Sequence, residues 1–388
     1  MRIAVVRRRW LADGGGERFA AALAGALAER DHEVTIVSAD WTSSGGPVRY
    51  DRVPTIRGRG QLAELLSFTL GAARRLRAGA YDLVQSHEKL LWQDVYRAGD
   101  GCHREWLHRR RRHNAGWRPR LAPFTPYHRL VLALERHALG RRHYRRIVAN
   151  SERGRADLQR HYGVPAGDIR VVYNGVDLQR FTPARRESLR EAVRSELEIP
   201  RDVLLLLFLG SGFERKGLAY LLRSVRALPD DVWVLVAGHD LHAEAYRALT
   251  ERLGLAHRVR FVGALAEPER GYAAADVFVL PTIYEPFSNA CLEALASGLP
   301  VITTRTNGVS EVLTGGLRDL VMEEPGDDAV LAARLRAVRD RDLRETLGRE
   351  ARRAAEQRPL ARTIDEFIAV YRELGPVGEC QRAPAASR

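Results

Sequence analysis

The stretch VLLLLFLGSGFERKGLAYLL, residues 203–222, decides the fold class. Seven apolar residues, Val203–Leu209, lead into a turn with three glycines and two adjacent cations, and an apolar helical pattern begins at Leu218. A short apolar run that passes through a glycine-rich turn into a helix is typical of a buried parallel strand and its following helix. The sequence therefore predicts a βα unit whose connecting turn lies at the carboxyl end of the strand.

The same alternation extends in both directions from this unit, and 388 residues are enough for two domains. We predict an α/β protein with two Rossmann-like domains facing each other across a cleft, joined near Asp177–Arg190. The expected parts are residues 1–180, residues 181–360, a helix at 361–375 that returns to the first domain, and a loose tail at 376–388. Predicted strands in the first half are Ile3–Val6, Val34–Ser38, Tyr81–Ser86, Ile147–Ala149 and Ile169–Val172, and in the second half Val232–Ala237, Val259–Val262, Val277–Leu280 and Val301–Thr303.

Composition narrows the class of protein. Apolar residues make up 45% of the chain, which excludes a disordered protein. The longest apolar run has seven residues, too few for a membrane-spanning helix or a signal peptide, so a cytoplasmic location is expected. Three cysteines without paired spacing predict neither a disulfide framework nor a zinc site.

The net charge of +13 predicts an acidic partner. Of 62 basic residues only Lys89 and Lys216 are lysine, and thirteen arginines lie between Arg104 and Arg146, interleaved with Trp and Tyr. This mixture favours contact with an anionic membrane surface or an acidic glycolipid. A solvated basic face is the alternative, and the absence of a nucleic-acid motif argues against a nucleic-acid partner.

The first chemical motif is the turn Gly210–Gly217. Its glycines allow close approach of a ligand, and Arg215 and Lys216 stand where the next helix begins. Two adjacent cations could hold a diphosphate without a metal. The alternative is a charged surface turn, which is weaker for Lys216 because this chain uses arginine almost everywhere.

The second motif is a pair of glutamates around a helix start. Glu285 lies in the loop after a predicted strand, and Glu293 falls in the second turn of a helix that begins near Ser288. The free amides of Ser288 and Asn289 would point at an anion. Glu293 would accept hydrogen bonds from two neighbouring hydroxyls, as on a ribose. The alternative places both glutamates on solvated surfaces, but the helix around Glu293 is otherwise apolar.

A third, weaker motif is Asp13-Gly14-Gly15-Gly16-Glu17-Arg18, a turn that could approach a sugar or phosphate. Asp40, at the end of the second strand, could mimic the ribose-binding acid of a dinucleotide fold, which is the basis for an alternative NAD-dependent dehydrogenase. A plain turn would explain both features. The Asp-x-Asp triplet at Asp340 lies in a charge-rich helical stretch and is expected at the surface, so no metal site is predicted.

Taken together, these motifs resemble the retaining glycosyltransferases of family 4, which have the GT-B fold. The resemblance rests on the Arg215-Lys216-Gly217 turn, the Glu285/Glu293 pair, and the turns Ala149–Glu152 and Val172–Asp177. Within the family the chain most resembles the lipopolysaccharide core heptose glucosyltransferases. The features shared with them are Gly14-Gly15 before Glu17-Arg18, Asp94-Val95-Tyr96 before Asp100, and Gly210-Ser211.

The resemblance implies roles for individual residues. Arg215 and Lys216 would bind the donor diphosphate, Glu293 the ribose, and Glu285 the donor sugar. Gly14 and Gly15 would line the sugar end of the cleft, and His87 or Asp100 would act near the acceptor.

The implied reaction transfers a hexose, glucose from UDP-glucose, to a lipopolysaccharide core or related glycolipid at the inner face of the cytoplasmic membrane. It needs no cofactor beyond the nucleotide-sugar. A nucleotide-sugar epimerase or phosphorylase of the same fold is a further alternative.

Overall fold

The computed structural model describes residues 1–10, 15–41, 48–113 and 124–375. The chain divides into two compact units. Unit 1 contains Met1–Tyr173 and Arg362–Arg388, and unit 2 contains Asn174–Ala361. Each unit is built on its own parallel sheet, which confirms the prediction of two Rossmann-like α/β domains. None of the helices in the described ranges is long and apolar enough to cross a membrane.

The main sheet of unit 1 has seven strands. In chain order the strands of this unit are β1 (Arg2–Val6), β2 (Arg9–Trp10), β3 (Glu33–Ser38), β4 (Asp40–Trp41), β5 (Arg49–Arg52), β6 (Leu83–Ser86), β7 (Val95–Arg97), β8 (Arg146–Ala149) and β9 (Ile169–Val171). The sheet order is β5-β3-β1-β6-β7-β8-β9, with every neighbouring pair parallel. Strands β2 and β4 form a separate parallel pair.

The sheet of unit 2 has six parallel strands. They are β10 (Leu204–Leu209), β11 (Val232–Ala237), β12 (Val259–Gly263), β13 (Val277–Leu280), β14 (Val301–Thr304) and β15 (Val321–Met322). Their order is β12-β11-β10-β13-β14-β15. The central strand β10 is continuously apolar and buried, as expected for a parallel strand with both faces covered.

Helices cover both sheets. The helices are α1 (Gly15–Ala28), α2 (Gln61–Ala78), α3 (His103–His113), α4 (Pro126–Ala138), α5 (Glu152–Tyr162), α6 (Pro183–Glu196), α7 (Phe213–Lys216), α8 (Leu218–Val225), α9 (Ala243–Arg252), α10 (Pro268–Ala274), α11 (Asn289–Ala296), α12 (Asp328–Ala337), α13 (Arg341–Glu356) and α14 (Leu360–Leu374). In unit 1, α2 packs on β1, β3 and β6 through Phe68 and Leu76, and α5 packs on β8 and β9 through Leu158. Because all neighbouring strands are parallel, the loops that follow them gather at one edge of each sheet.

The region expected to join the domains differs from the prediction. The units divide between Tyr173 and Asn174, whereas the expected boundary was 180/181. Much of the segment predicted as the join is helix α6, which begins at Pro183 because the Thr182 hydroxyl accepts a hydrogen bond from the Arg185 amide. Residues 362–375 belong to unit 1, and the predicted tail at 376–388 lies outside the described residues.

Candidate active site

The glycine-rich turn after β10 holds its conformation through close contacts that a side chain would prevent. Gly210 has φ +140°, and a Cβ there would lie 2.4 Å from Lys216 Nζ. Gly217 has φ +82°, and a Cβ there would lie 1.9 Å from the Pro281 carbonyl oxygen. The turn is also tied to the loop that follows the neighbouring strand β11, because the Phe213 amide donates to Asp240 Oδ2 at 2.7 Å. The sequence therefore places Lys216 directly over Gly210, at the carboxyl edge of the unit 2 sheet.

Arg215 and Lys216 converge on one carboxylate. Arg215 Nη1 donates to Glu285 Oε2 at 2.6 Å and to the Tyr284 carbonyl at 3.2 Å, and Lys216 Nζ lies 3.7 Å from the same Glu285 oxygen. Lys216 and Glu285 are both buried, each 9% exposed. Burial lowers the pKa of Lys216, and the adjacent Glu285 opposes that shift. The resemblance assigned Arg215 and Lys216 to the donor diphosphate and Glu285 to the donor sugar, whereas the structure joins all three in one ion-pair cluster.

The loop that carries Glu285 is clamped by the loop after β14. The Glu285 amide donates to the Thr306 carbonyl, and the Gly308 amide donates to the Glu285 carbonyl. The fully buried Asn307 amide group accepts hydrogen bonds from the amides of Ser288 and Val309, both at 3.2 Å. Asn307 therefore fixes the start of α11 through its bond to the Ser288 amide. Sequence reasoning missed this residue, and the Asn-Gly turn after an apolar strand was the available signal.

The start of α11 corrects one prediction. The Ser288 amide, expected to be free for an anion, is already bonded to Asn307, because the loop clamp occupies it. Ser288 instead caps the helix through its hydroxyl, which accepts from the Cys291 amide at 3.2 Å. The Asn289 side chain accepts a hydrogen bond from Asn174 Nδ2 at 2.7 Å. Whether Ser288 and Asn289 bind a ligand stays a prediction.

Glu293 has a protein partner that the sequence did not predict. It lies in the second turn of α11, 6% exposed, and its Oε2 accepts from the Tyr272 hydroxyl at 2.8 Å. Tyr272 comes from α10, and the same hydroxyl lies 3.1 Å from the Ala290 carbonyl. The carboxylate is thus oriented by a buried tyrosine, which offsets the cost of burying charge in an apolar helix.

His87, in unit 1, is enclosed rather than exposed. It follows β6 and is 3% exposed, with Nε2 at 2.9 Å from Gln85 Nε2 and Nδ1 at 3.5 Å from Arg97 Nη1. Burial, followed by the charge of Arg97, lowers the pKa of His87 well below its usual value. Arg97 stacks on the Phe19 ring at 4.2 Å, which fixes the guanidinium beside the histidine. His87 is therefore held as a neutral imidazole.

The other predicted residues of unit 1 lie near the same edge of its sheet or outside the described residues. Asp100 is exposed in the turn after β7, the strand next to β6. Gly15 is the first residue of α1, and Gly14 and Asp13 are not among the described residues. The catalytic and acceptor roles of His87 and Asp100 stay predictions.

Lys89, the other lysine of the chain, pairs with a buried glutamate of unit 1. Its Nζ is 3.6 Å from Glu135 Oε1, and Glu135 also accepts from the amides of His103 and Arg104. The carboxylate of α4 thereby caps the amino terminus of α3. This contact anchors the arginine-rich helix to the body of unit 1.

The described part of the segment Arg104–Arg146 forms α3, α4 and the loop into β8. Some of its arginines have structural roles: Arg109 pairs with the buried Glu105 at 2.6 Å. Others lie at the surface beside aromatic rings, with Arg111 5.9 Å from the ring of Phe124, which is 68% exposed. Trp117 falls outside the described residues.

Helix α2 adds an apolar surface that sequence reasoning missed. Its side chains Leu62, Leu66 and Leu70 recur every four residues and are 39–55% exposed. The opposite face of α2 is buried, and Leu65 packs against Val131 and Leu134 of α4. An apolar stripe at helical spacing therefore lies on the helix next to the arginine-rich segment.

Metal-binding side chains are not grouped within the described residues. No set of three or more His, Cys, Asp or Glu side chains there could hold a metal ion. Asp340, the first acid of the Asp-x-Asp triplet, caps α13 by accepting from the Leu343 amide. Cys102 and Cys291 are free and buried.

Two known families match consecutive parts of the chain. Residues 13–180 match the family described as Glycosyltransferase Family 4, and residues 190–354 match the family described as Glycosyl transferases group 1. The chain belongs to glycosyltransferase family 4. The two matches correspond to the two Rossmann-like units, and these comparisons give no support to the alternative of a dehydrogenase.

Curated relatives of this family 4 glycosyltransferase have several names. The lipopolysaccharide glucosyltransferase WaaG of Escherichia coli is 27% identical over 89% of this chain and 92% of its own length. The lipopolysaccharide core biosynthesis glycosyltransferase LpsD of Rhizobium meliloti is 35% identical over 46% of the chain and 50% of its own. The D-inositol 3-phosphate glycosyltransferase of Corynebacterium jeikeium is 33% identical over 62% and 60%. The chain thus spans only half to three fifths of the last two relatives.

Solved structures agree on the fold. The crystal structure of WaaG, a glycosyltransferase involved in lipopolysaccharide biosynthesis, superposes with a TM-score of 0.80 at 24% identity, covering 95% of this chain and 99% of that one. Anabaena HepE in complex with UDP and glucose superposes with a TM-score of 0.71 at 18% identity, covering 95% and 99%. These glycosyltransferase neighbours confirm the predicted GT-B fold class.

Proposed function

We propose that this glycosyltransferase transfers glucose from UDP-glucose to a lipopolysaccharide core or a related glycolipid, with retention at the anomeric carbon. The observation that carries the proposal is the cluster of Arg215, Lys216 and Glu285 at the carboxyl edge of the unit 2 sheet. Ligands of doubly wound sheets bind at that edge. The similarity to E. coli WaaG along 92% of that protein supports glucose and a lipopolysaccharide acceptor.

The donor diphosphate is held by Arg215 and Lys216 in this proposal. Without a ligand, both cations share the single carboxylate of Glu285, so an entering diphosphate brings more negative charge to them than Glu285 supplies. Glu285 is then released from its ion pairs and turns to the hydroxyls of the donor sugar. Glu293, held by Tyr272, accepts hydrogen bonds from the ribose hydroxyls.

The chemistry follows from this charge arrangement. The bond between the anomeric carbon and the diphosphate oxygen breaks, and the electron pair leaves with UDP. The acceptor oxygen attacks from the same face, and its proton passes to the departing phosphate oxygen, which gives retention. The two cations stabilise the growing negative charge, so the reaction requires no metal ion. The neutral His87 and the exposed Asp100 are the acceptor-side candidates in unit 1.

The acceptor is presented at a membrane in this proposal, on the cytoplasmic face. The surface arginines of α3 can contact lipid phosphates, and the apolar stripe of α2 can enter the headgroup region beside them. Together they supply the two kinds of attraction that a peripheral protein needs. A second candidate acceptor is D-inositol 3-phosphate, because relatives of that name reach a higher identity over part of the chain.

The test is an acceptor and donor panel with the full chain. UDP-glucose with deacylated core oligosaccharide should release UDP and yield an α-linked product, as NMR of the anomeric proton would show, with activity retained in excess EDTA. The same assay with D-inositol 3-phosphate as the acceptor tests the second candidate, because a glycosylated product would form only if that compound is accepted. Release of no nucleotide from any common donor with either acceptor overturns the proposal, and a β-linked product overturns retention.

A further inference from the structure

A second basic site lies in unit 2, at the edge of the sheet opposite Arg215 and Lys216. A groove of about 1270 Å³ opens at the amino ends of β10, β13 and β14, where Leu204, Asp276 and Pro300 line it. Strand β10 is six residues long, so the two edges are about 20 Å apart. The groove is therefore separate from the candidate active site.

Two helices supply its walls with arginines at helical spacing. Helix α6 presents Arg186 and Arg190, four residues apart. Helix α13 presents Arg341, Arg344, Arg349 and Arg352, which span about three turns. The buried face of α13, with Leu347 and Ala351, points into unit 2 instead. The arginines of both helices therefore border one groove.

Small residues bring the walls together. A Cβ on Gly348 of α13 would lie 2.7 Å from the Gly298 carbonyl oxygen, and a Cβ on Gly298 would lie 3.2 Å from Pro183 at the start of α6. The loop around Gly298 thus contacts both helices. This close packing holds both arginine-bearing helices against the loop around Gly298, which lies between them.

Positive charge in the groove exceeds the negative charge available to neutralise it. Nine arginines line it against five carboxylates. Three of those carboxylates are already engaged: Asp276 by Arg190 at 2.5 Å, Asp231 by Arg339 and Glu345 by Arg341. The formal excess of four charges corresponds to about two phosphate monoesters.

Part of the arginine set is also held in place before any ligand arrives. Arg186 Nη2 and Arg190 Nη1 both donate to the Ala275 carbonyl, at 2.8 and 3.0 Å. Burial, followed by the neighbouring Arg190, lowers the pKa of Arg186 to about 10, and Asp276, 4.0 Å away, opposes that shift. Fixed guanidinium groups lose little side-chain entropy when they bind an anion.

We propose that this groove binds a small molecule that carries two or more phosphate groups. Guanidinium forks match phosphate oxygens in geometry and charge. The described residues that line the groove include no aromatic side chain, so nothing there stacks on a nucleobase, and a phosphorylated sugar or polyol fits better than a nucleotide. Its volume exceeds the usual range for small-molecule sites of roughly 300–1,000 Å³ and accommodates such a ligand.

The test uses tripolyphosphate as the probe, titrated by calorimetry into the full chain with UDP present to occupy the donor site. The groove variant is Arg349→Ala with Arg353→Ala, both exposed on α13. The control variant is Arg226→Ala with Arg252→Ala, which removes the same charge from exposed positions outside the groove. We expect tripolyphosphate affinity to fall about tenfold or more in the groove variant and to change less than twofold in the control.

Other results would overturn the assignment. Equal weakening in both variants would mean that only the overall charge attracts the probe. Unchanged binding in the groove variant, and also in Arg201→Ala at the other side of the groove, would place the probe elsewhere. Inorganic phosphate should bind at least tenfold more weakly than tripolyphosphate, and equal binding would reduce the site to a single-anion contact. Duplex DNA is also tested as a competitor of the probe. If it displaces the probe at a lower concentration, counted per phosphate, than tripolyphosphate itself needs to bind, the groove is a nucleic-acid surface instead.

Discussion

Arg215 Nη1 and Glu285 Oε2 are 2.6 Å apart, and the buried ammonium of Lys216 shares the same oxygen at 3.7 Å. One carboxylate thus pairs with both cations proposed to hold the donor diphosphate and neutralises only one of their two charges. When no ligand is bound, the positive groups of the site are paired with Glu285 of the same unit. If this cluster binds the donor as proposed, donor binding and turnover depend on Glu285 in opposite directions.

Replacing Glu285 by alanine or glutamine should separate these two effects. We expect the affinity for UDP to stay equal or rise, because the competing carboxylate is gone, while kcat falls at least tenfold with the lost contact to the sugar. Calorimetry with UDP and steady-state kinetics measure the two quantities. Weaker UDP binding in both variants would contradict the proposed exchange of partners.

The same variants should lose stability without a ligand. Removing one partner of a buried ion pair leaves uncompensated charge and costs about 3–5 kcal/mol. We therefore expect a lower melting temperature for Glu285→Ala and a larger upward shift on adding UDP than in the unmodified chain. Thermal unfolding with and without UDP measures both, and equal shifts would argue that UDP does not bind these cations.

Glu293 and Tyr272 can be separated by a matched pair of variants. Glu293→Ala should weaken UDP binding about tenfold or more, because it removes an acceptor for charged hydrogen bonds to the ribose. Tyr272→Phe keeps the carboxylate and removes only its internal donor, so it should cost on the order of 1 kcal/mol in stability and affect UDP affinity much less. Equal losses of affinity would make Glu293 a structural residue.

Two glycines of the turn after β10 distinguish backbone strain from steric overlap. Gly212 and Gly217 have φ of +81° and +82°, but only at Gly217 would a Cβ overlap a backbone oxygen, that of Pro281. Gly212→Ala should cost about 1–2 kcal/mol of unfolding free energy, and Gly217→Ala clearly more. Urea denaturation compares them, and equal costs would show that the turn relaxes.

Acid should destabilise unit 1 through His103, a partly buried histidine. Burial, followed by the charges of Lys89 and His128, lowers the pKa of His103 to about 3. Between roughly pH 6.5 and 3 the unfolded chain binds this proton and the folded chain does not, so the free energy of unfolding falls as pH falls. His103 accounts for on the order of 2 kcal/mol between pH 7 and 5.

The variant His103→Gln should therefore flatten the dependence of unfolding free energy on pH. Denaturant unfolding at several pH values measures the slope. His242→Gln, at an exposed position of unit 2, is the control and should leave the slope unchanged. An identical slope in both variants would mean that other groups dominate the acid response.

Membrane contact can be divided into its charged and apolar parts. Arg111→Gln with Arg112→Gln should reduce binding to anionic vesicles about tenfold or more, at about 1 kcal/mol per arginine, and the remaining binding should be less sensitive to salt. Leu66→Ser with Leu70→Ser should reduce binding without changing the salt dependence. Sedimentation measures both, with Arg226→Gln/Arg252→Gln as the control. Full binding in both test pairs would refute this surface.

The sequence by itself determined the fold class, because apolar runs of strand length alternate with amphipathic helices and need no long-range information. It also indicated the Arg215-Lys216 turn and the two glutamates, since glycines and charges next to strand ends are local signals. Short strands such as β5 and β7, of four and three residues, were missed because their pairing depends on neighbours distant in the chain. The family followed from the same local motifs.

Only the tertiary structure decided which of these residues meet. The pairing of Arg215 with Glu285, seventy positions away, and of Glu293 with Tyr272 depends on how parallel strands bring separate loops to one edge. The same is true of Asn307, which occupies the Ser288 amide that the sequence left free, and of the arginines of α6 and α13 around one groove. The spacing of residues along the chain specifies helices and strands. The hydrogen-bond partners of a side chain are specified by tertiary packing, because a polar group buried by that packing needs a partner within the protein.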